Sequence, residues 1–219
     1  MKAKYNPVTH DGEVDAELEE VREFIDRIIP EAIKNAGGIL NDQIRFWRWK
    51  NQVNIFRKAS QHLGQNTKLH TVDLKVLVPL VENGSLEDED ELQDKWASML
   101  ANATSQNQRV LPLFPALLKE LSSTEIAILD VLFKVYKRST TFPVQFEKEK
   151  VRTNFNISAS ETDVMIDNLF RLNICSSPGS VGALIGNYPF SIHTNEIFEL
   201  TSLGIAFIES CKYKKVKNK

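Results

Sequence analysis

Residues 85–100 read SLEDEDELQDKWASML, an acidic run that passes directly into an apolar stretch with a tryptophan. Leu92 and Trp96 lie four residues apart, a spacing that places side chains on one face of a helix. Ser85 suits an N-cap, with Asp88 three positions later as in a capping box. The acidic residues would then occupy the first turns, where the helix dipole favours negative charge. We therefore expect a helix that begins after Ser85 and packs its Trp96 face into a core.

A metal or acid–base site is the alternative interpretation of the five consecutive carboxylates Glu87–Glu91. Consecutive helical residues fan out by about 100° each, so most of these side chains cannot converge on one ion. No His or Cys lies nearby in the sequence to complete a site. Asp88 and Glu91, one turn apart, are the only carboxylates worth testing. We expect no metal and no cofactor.

Size and composition predict a soluble globular protein of one large or two small domains. The 219 residues include 42% apolar and 26% charged residues, and the net charge of −2 offers no bulk basic field for nucleic acid or an anionic membrane. Cys175 and Cys211 are too few for a disulfide framework and suggest reduced core thiols. The polar N-terminus lacks the apolar core of a signal peptide, and the most apolar window, Leu74–Val81, is far too short to span a bilayer. These features predict a cytoplasmic protein.

The N-terminal half is expected to be a helical domain over residues 13–110, after a disordered segment at residues 1–12. Apolar residues recur at helical spacing from Val14 to Ala32, with acidic residues on the other face. Gly37-Gly38 marks a break before the next helix.

That next helix, predicted over Ile39–Leu63, has apolar residues on two stripes with cations between them. A helix with two apolar stripes is expected to touch neighbours on both sides. Its basic and aromatic residues are the candidates for an interface or for nucleic acid: Arg45, Phe46, Trp47, Arg48, Trp49, Arg57 and Lys58.

Three interpretations of this helix remain open. It is a core or oligomer helix whose cations pair with the acidic face Glu17–Asp26 of the preceding helix. Alternatively, its aromatic side chains stack on bases while its cations follow a nucleic-acid backbone. The same composition also suits a membrane surface. A basic tail at residues 214–219 would add electrostatic help to an anionic partner.

The C-terminal half, residues 112–213, has the element order of a winged-helix module: helix, short strand, two helices, strand, loop, strand and final helix. A capping box at Ser122-Ser-Thr-Glu125 opens one helix, and a second series of caps, Ser158 and Ser160, opens another, predicted over Glu161–Leu172. A short helix is expected within residues 145–154. The stretch FELTSLGIAFIESC, residues 198–211, is similar to the end of many winged-helix domains, with a glycine that permits close packing.

The residues of this module argue against reading DNA. The helix that would enter the major groove carries Glu161, Asp163 and Asp167, each of which repels phosphate, and only Arg171 is basic. Residues 176–194, which would form the wing, contain no Lys or Arg and centre on the apolar run 181–185. A surface of this kind suits a protein contact better than a duplex.

No motif of an active site is present in the sequence. The four histidines, His10, His62, His70 and His193, show no metal-binding spacing, and there is no phosphate loop, nucleophile elbow or HExxH. We therefore expect no enzymatic activity and no small-molecule substrate.

The stretch from Pro79 to Asp130 resembles the Abi-alpha family of bacterial proteins, named for abortive infection, the suicide response to phage. The resemblance extends over about residues 35–210. It rests on an acidic Glu-Asp doublet followed by Trp96-Ala-Ser-Met-Leu-Ala-Asn-Ala and on the capping sequence before Ile128. The matching positions, Glu82, Glu87, Asp88, Trp96 and Glu125, are structural residues, and the resemblance implies no catalytic one. It implies a bacterial, cytosolic, defence-associated protein.

Together these features predict a mainly α protein with an N-terminal helical bundle and a C-terminal winged-helix-like module that has a small β-hairpin. The expected function is a non-enzymatic, defence-associated interaction or scaffold protein that binds a protein partner or forms a homo-oligomer. The alternatives are a nucleic-acid-binding regulator that uses residues 44–58, and an effector that perturbs membranes, although a membrane partner is not expected.

Overall fold

The computed structural model describes residue 27 and residues 43–63, 67–105, 108–178 and 196–213, with only the backbone described for 43–47. The described helices and strands confirm a mainly helical fold with a small three-stranded antiparallel sheet toward the C-terminus. The chain divides into two compact units. The first contains the described residues up to Lys119 and those from Cys211, and the second is Glu120–Ser210.

Four helices have described bounds in the first unit: α1 (Gln43–Leu63), α2 (Leu74–Gly84), α3 (Asp90–Ser105) and the short α4 (Phe114–Leu118). Helix α3 lies at the centre of this unit, because its side chains from Trp96 to Asn102 are all buried. The predicted Trp96 face is therefore confirmed, although the buried surface extends around most of the helix.

Among the described side chains of residues 48–63, helix α1 packs on α3 through a buried face that contains Asn51, Ile55, Phe56, Ala59 and Leu63. By contrast, the Trp49 side chain is 39% exposed. The expected first helix and its acidic face, Glu17–Asp26, lie outside the described residues.

The start of α3 corrects one prediction. The helix begins at Asp90, so Ser85 is not its N-cap. Ser85 instead closes α2: its backbone N–H bonds to the carbonyls of Asn83 and Val81, and its hydroxyl donates to the Glu82 carbonyl at 2.6 Å. Residues 86–89 form a turn between the helices, because the carboxylate of Glu87 accepts the backbone N–H of Glu89 at 3.0 Å and holds the chain there.

The end of α2 fits tightly between its neighbours. Gly84 is its last residue. A Cβ added to Gly84 would lie 2.9 Å from Cδ1 of Ile55 and 3.3 Å from the Trp96 ring. The absence of a side chain here therefore lets α2 approach both α1 and α3.

The second unit runs α5 (Ser123–Arg138), β1 (Gln145–Glu147), α6 (Lys148–Phe155), α7 (Ala159–Arg171), β2 (Cys175–Ser176), β3 (Ile197–Leu200) and α8 (Ser202–Ser210). This is the predicted element order. The expected helix at residues 145–154 is in fact a three-residue strand followed by α6. The predicted capping box forms at Ser122 with Glu125. Ser158, one of the two predicted caps of α7, forms a second capping box with Glu161, and the helix starts at Ala159 rather than at Glu161. Asn156 adopts the left-handed conformation between α6 and α7, which asparagine tolerates better than most residues.

The sheet has the order β1-β3-β2, and both pairings are antiparallel. Phe146 and Phe198 are paired across the strands, and both are buried. Gln145 and Ser176 each pair with Glu199, on the opposite, polar face. Period-two alternation thus directs one face of the sheet to the core.

Helix α8 follows β3 through a close contact with the backbone of Ile174. The Thr201 hydroxyl donates to the Asn173 carbonyl at 2.7 Å and accepts the N–H of Gly204 at 2.9 Å. A Cβ at Gly204 would lie 2.2 Å from the Ile174 carbonyl oxygen. The predicted role of this glycine, close packing of the last helix, is therefore confirmed.

The division between the units lies later in the chain than the predicted boundaries at residues 110 and 112. Helix α4 belongs to the first unit, and so do Cys211–Tyr213, which the sequence had placed in the second domain. Within the described residues, no helix has both the length and the apolar composition that crossing a bilayer requires.

Candidate functional site

The basic helix α1 uses several of its cations for contacts inside the first unit. Nε of Arg48 donates to the hydroxyl of Ser85 at 2.9 Å, and Nη2 reaches the Glu82 carbonyl at 3.4 Å. Nζ of Lys58 contacts both the carbonyl and the carboxylate of Asp90, at 2.8 and 2.6 Å. Arg48 and Lys58 therefore hold α1 against the acidic corner between α2 and α3.

The other described candidates on this helix are Trp49 and Arg57. Arg57 donates to Asn54 within α1 itself. Trp49 is partly exposed, and Lys50 beside it is exposed. The side chains of Arg45, Phe46 and Trp47 lie outside the described residues. The described candidates therefore have different environments. Arg48, Arg57 and Lys58 make contacts within the first unit, whereas Trp49 is partly exposed.

A buried amide network lies beneath the Arg48 contact. Asn51 donates to the Ser85 carbonyl at 3.1 Å, and Gln93 donates to the Glu87 carbonyl at 2.9 Å and to Asn51 at 3.4 Å. All three of Asn51, Ser85 and Gln93 are buried. Because buried polar groups cost free energy unless they are hydrogen-bonded, this network fixes how the corner sits on α1.

Glu87, in the middle of the acidic run, is half-buried. Burial raises the pKa of its carboxyl above the ordinary value, and the neighbouring charges of Glu89 and Asp88 raise it further. The N–H groups of Glu89 and Asp88 act in the opposite direction by stabilising the carboxylate. The acidic run therefore begins in the connection between α2 and α3 and ends in the first turn of α3, and the pKa of its Glu87 carboxyl is raised.

A serine, a histidine and an aspartate meet between α1 and α3, but not as a catalytic triad. Nε2 of His62 lies 3.0 Å from Oδ1 of Asp94 and 3.4 Å from Oγ of Ser98. In a triad the acid and the hydroxyl bind different ring nitrogens, so that the imidazole can relay a proton between them. Here both approach the same nitrogen, and Ser98 is buried. The cluster therefore joins the two helices and offers no nucleophile.

The positions shared with the family resemblance are packing and capping residues. Trp96 is almost fully buried against Gly84. Glu82 and Asp88 are exposed, and Glu82 contributes its carbonyl to the Arg48 contact. These positions shape the first unit.

Glu125, the last of these positions, is buried in the second unit. One carboxylate oxygen accepts the N–H and the hydroxyl of Ser122, at 2.8 and 2.7 Å. The other accepts the amide of Asn168 at 2.7 Å. A capping residue of α5 thereby holds the C-terminal half of α7.

Every cation of α6 and α7 is in an ion pair. Lys148, almost fully buried, contacts Asp163 at 2.7 Å, and Arg171 contacts Glu120 at 3.0 Å. The remaining pairs are Lys150 with Glu147, and Arg152 with both Glu149 and Glu196. Contact with phosphate through these two helices would have to compete with all of these carboxylates.

The outward face of α7 is acidic around one exposed apolar side chain. Val164 is 67% exposed, and Ser160 and Asp163 on the same side are also exposed. Glu161 is fully exposed, and hydrogen bonds from the side chain and the backbone of Ser158 lower its pKa. The apolar run 181–185 of the expected wing lies outside the described residues.

Among the described His, Cys, Asp and Glu side chains, no three lie close enough together to hold a metal ion. Asp88 and Glu91, the carboxylates singled out in the sequence, are both exposed. Cys175 and Cys211 are buried thiols outside any disulfide.

Sequence inspection missed Asn51 and Gln93, which complete the corner, and Asp94, which bonds to His62 between α1 and α3. The sequence did contain a sign that Asn51 is buried, because it lies four residues before Ile55 in a line of otherwise apolar residues. A polar side chain on the buried face of a helix requires a buried partner. Gln93, directly after Leu92, carries the same signal.

A comparison with protein families matches residues 48–211 to the model described as abortive infection alpha. No curated protein matches the chain, and no solved structure matches it. The matched region contains α2 to α8, most of α1, and all five positions on which the resemblance was recognised. The chain therefore belongs to the abortive infection alpha family.

Proposed function

We propose that this chain is a non-enzymatic interaction protein of an abortive-infection response, and that its Glu120–Ser210 unit contacts another protein through the outward face of α7. The family supplies the association with defence. The observation that carries the contact is the exposure of Val164 on a face where the cations of α6 and α7 are already paired.

The element order supports a winged-helix-like interpretation of this unit. Helices α6 and α7 with the pairing of β2 and β3 follow the order helix, helix, hairpin. In that arrangement α7 takes the place of the helix that enters a DNA groove. Its exposed residues include the carboxylates Glu161 and Asp163, which repel phosphate, and the apolar Val164. An exposed apolar side chain with polar residues around it suits the apolar core and polar rim of a protein interface better than a DNA groove.

The geometry gives less support to the alternative that the chain binds nucleic acid through α1. Cations that bind nucleic acid release counterions from the phosphates, and this release supplies most of the affinity. Arg48 and Lys58 already contact the corner between α2 and α3. The described residues offer no observation that favours a membrane-perturbing effector.

Infection of bacterial cells that express the chain tests the function. We expect wild-type cells to block phage propagation, and Val164→Asp to abolish the block while circular dichroism stays unchanged. Val135→Asp is the matched control, since Val135 is an exposed valine on α5 of the same unit. Equal protection by the wild type and Val164→Asp would refute a role for this face.

Titration with fluorescent duplex DNA and single-stranded RNA tests the alternative. At a salt concentration of about 50 mM we expect no saturable binding, because low salt favours any binding that depends on counterion release. Saturable binding that weakens with salt, and that disappears in the double variant Arg45→Ala, Arg48→Ala, would replace our proposal with the nucleic-acid function.

A further inference from the structure

The sheet of the second unit carries a half-buried carboxylate on its polar face, that of Glu199. One of its oxygens, Oε2, is buried, and no described residue donates a hydrogen bond to it. A buried polar atom costs free energy unless it is hydrogen-bonded, and the cost is larger for a charged group. The fold therefore retains an acceptor at Glu199 that its own described residues leave unsatisfied.

The cations beside this sheet are used elsewhere. Lys148, directly after β1, pairs with Asp163, and Arg152 on α6 also pairs with other carboxylates. The sequence that joins β2 to β3, residues 177–196, contains no Lys or Arg. Neither the described ion pairs nor this connection therefore supplies a cation to Glu199.

The neighbours of Glu199 on the same face of the sheet suit a cationic side chain. Gln145 on β1 and Ser176 on β2 lie opposite Glu199 in the register, about 5 Å away between Cα atoms, and both offer oxygen acceptors. Ile197, two residues before Glu199 and on the same face, is 39% exposed. This face thus combines a carboxylate, two neutral acceptors and an apolar side chain.

A guanidinium group matches this combination better than an ammonium group does. Its planar fork presents five N–H donors, so one group can bond the carboxylate and a neutral acceptor beside it at the same time. The carbon stem of an arginine can lie on Ile197, because such stems bury well along apolar surface. A lysine ammonium is a point charge with three donors and lacks this planar match.

We propose that Glu199, together with Gln145, Ser176 and Ile197, is a binding subsite for an arginine side chain of a partner protein. The guanidinium donates to the Glu199 carboxylate, including its buried oxygen, and the arginine stem covers Ile197. This subsite lies on the sheet and not on the outward face of α7. The inference therefore goes beyond the proposed contact at α7, and either one can fail without the other.

NMR titration of the full chain, with ¹³C-labelled glutamate, tests the subsite. The probe is the peptide acetyl-Gly-Arg-Gly-amide, and its neutral isostere, with citrulline in place of arginine, is the matched control. We expect the arginine peptide to shift the Glu199 carboxyl resonance saturably, and the citrulline peptide to bind at least about tenfold more weakly, because it removes a charge-assisted hydrogen bond.

Two variants of equal charge separate this subsite from general attraction between the peptide and an acidic surface. Glu199→Gln should weaken binding of the arginine peptide about tenfold or more. Glu209→Gln removes the same charge from a carboxylate that already pairs with Lys137 at 2.6 Å, and should leave the binding unchanged. Equal weakening by both variants, equal binding of the two peptides, or no saturable shift in the wild type would each overturn the proposal. The peptide comparison decides it even where Glu199→Gln does not fold.

Urea denaturation without peptide distinguishes a binding carboxylate from a structural one. A carboxylate that the fold itself uses stabilises the folded state, whereas one kept for a partner does not. We expect the urea midpoint of Glu199→Gln to equal or exceed that of the wild type. Glu125→Gln is the contrast and should lower it, since the Glu125 carboxylate accepts hydrogen bonds from Ser122 and Asn168. A lowered midpoint for Glu199→Gln would assign Glu199 a structural role and overturn the proposal.

Discussion

Nε of Arg48 donates to the hydroxyl of Ser85 at 2.9 Å, across 37 positions of the chain. Ser85 in turn donates to the Glu82 carbonyl. One serine therefore closes α2 and receives the basic helix α1. Helix α1 is rich in Arg and aromatic residues, but this contact occupies Arg48. Not all cations of the helix are therefore available to an anionic partner.

Loss of this contact should destabilise the first unit. Arg48→Met keeps most of the aliphatic stem and removes the hydrogen bonds, which should cost about 1 to 2 kcal/mol. Urea denaturation measures the change in the free energy of unfolding. Lys50→Met, at an exposed position two residues later, is the control and should change stability by less than about 0.5 kcal/mol. A double-mutant cycle with Ser85→Ala should give a coupling of at least about 0.5 kcal/mol; additive effects would contradict the proposed contact.

Two glycines should respond differently to alanine. At Gly204 a Cβ would meet a backbone oxygen, which cannot move without displacing Ile174. At Gly84 it would meet the end of the Ile55 side chain, which can rotate. We expect Gly204→Ala to cost at least about 2 kcal/mol and Gly84→Ala clearly less. Thermal denaturation compares the two, and equal shifts in Tm would show that α8 tolerates displacement.

The raised pKa of Glu87 predicts a pH-dependent effect of Glu87→Gln. The folded state binds this proton more tightly than the unfolded chain, so the favourable contribution present at acid pH is lost as pH rises from the ordinary value of 4.5 through the folded pKa. The amide introduced by this substitution would keep an acceptor for the Glu89 N–H without the charge. We expect a gain below about 1 kcal/mol at pH 7 and none near pH 4. A loss of stability at pH 7 would contradict this.

The lowered pKa of Glu161 gives the opposite dependence of stability on pH. Its stabilising contribution is present above the ordinary value of 4.5 and is lost as pH falls through the lower folded pKa. Ser158→Ala removes the hydroxyl that bonds the carboxylate at 2.7 Å. NMR titration should show the pKa of Glu161 rise toward its ordinary value in this variant. An unchanged pKa would mean that the hydroxyl does not stabilise the carboxylate.

Sequence patterns predicted the local structure more reliably than the long-range partners. The caps at Ser122 and Ser158 depend on residues three positions further along the chain, and both serines cap their helices as expected. The prediction of Ser85 as the N-cap of α3 was wrong, because a serine before acidic residues fits the start of one helix as well as the end of the preceding one. Ser85 is in fact the C-cap of α2. Its true role depends on Arg48, which is distant in sequence.

The return of Cys211–Tyr213 to the first unit was not predictable for a related reason. Sequence periodicity describes which face of a helix is buried but not which unit a terminal segment joins. The partner of Lys212 is Asn102, 110 positions away. Likewise, sequence identified Asp163 as a charge that repels DNA but could not show its pairing with Lys148.

Photo-crosslinking from position 164 tests the proposed protein contact most directly. With p-benzoylphenylalanine in place of Val164, irradiation of phage-infected cells should yield a discrete crosslinked protein species, which mass spectrometry identifies as another copy or a partner. The same reagent at Lys75, an exposed position of the first unit, should yield none. Absence of a protein crosslink from position 164, or crosslinking to nucleic acid instead, would contradict a protein-binding role for α7.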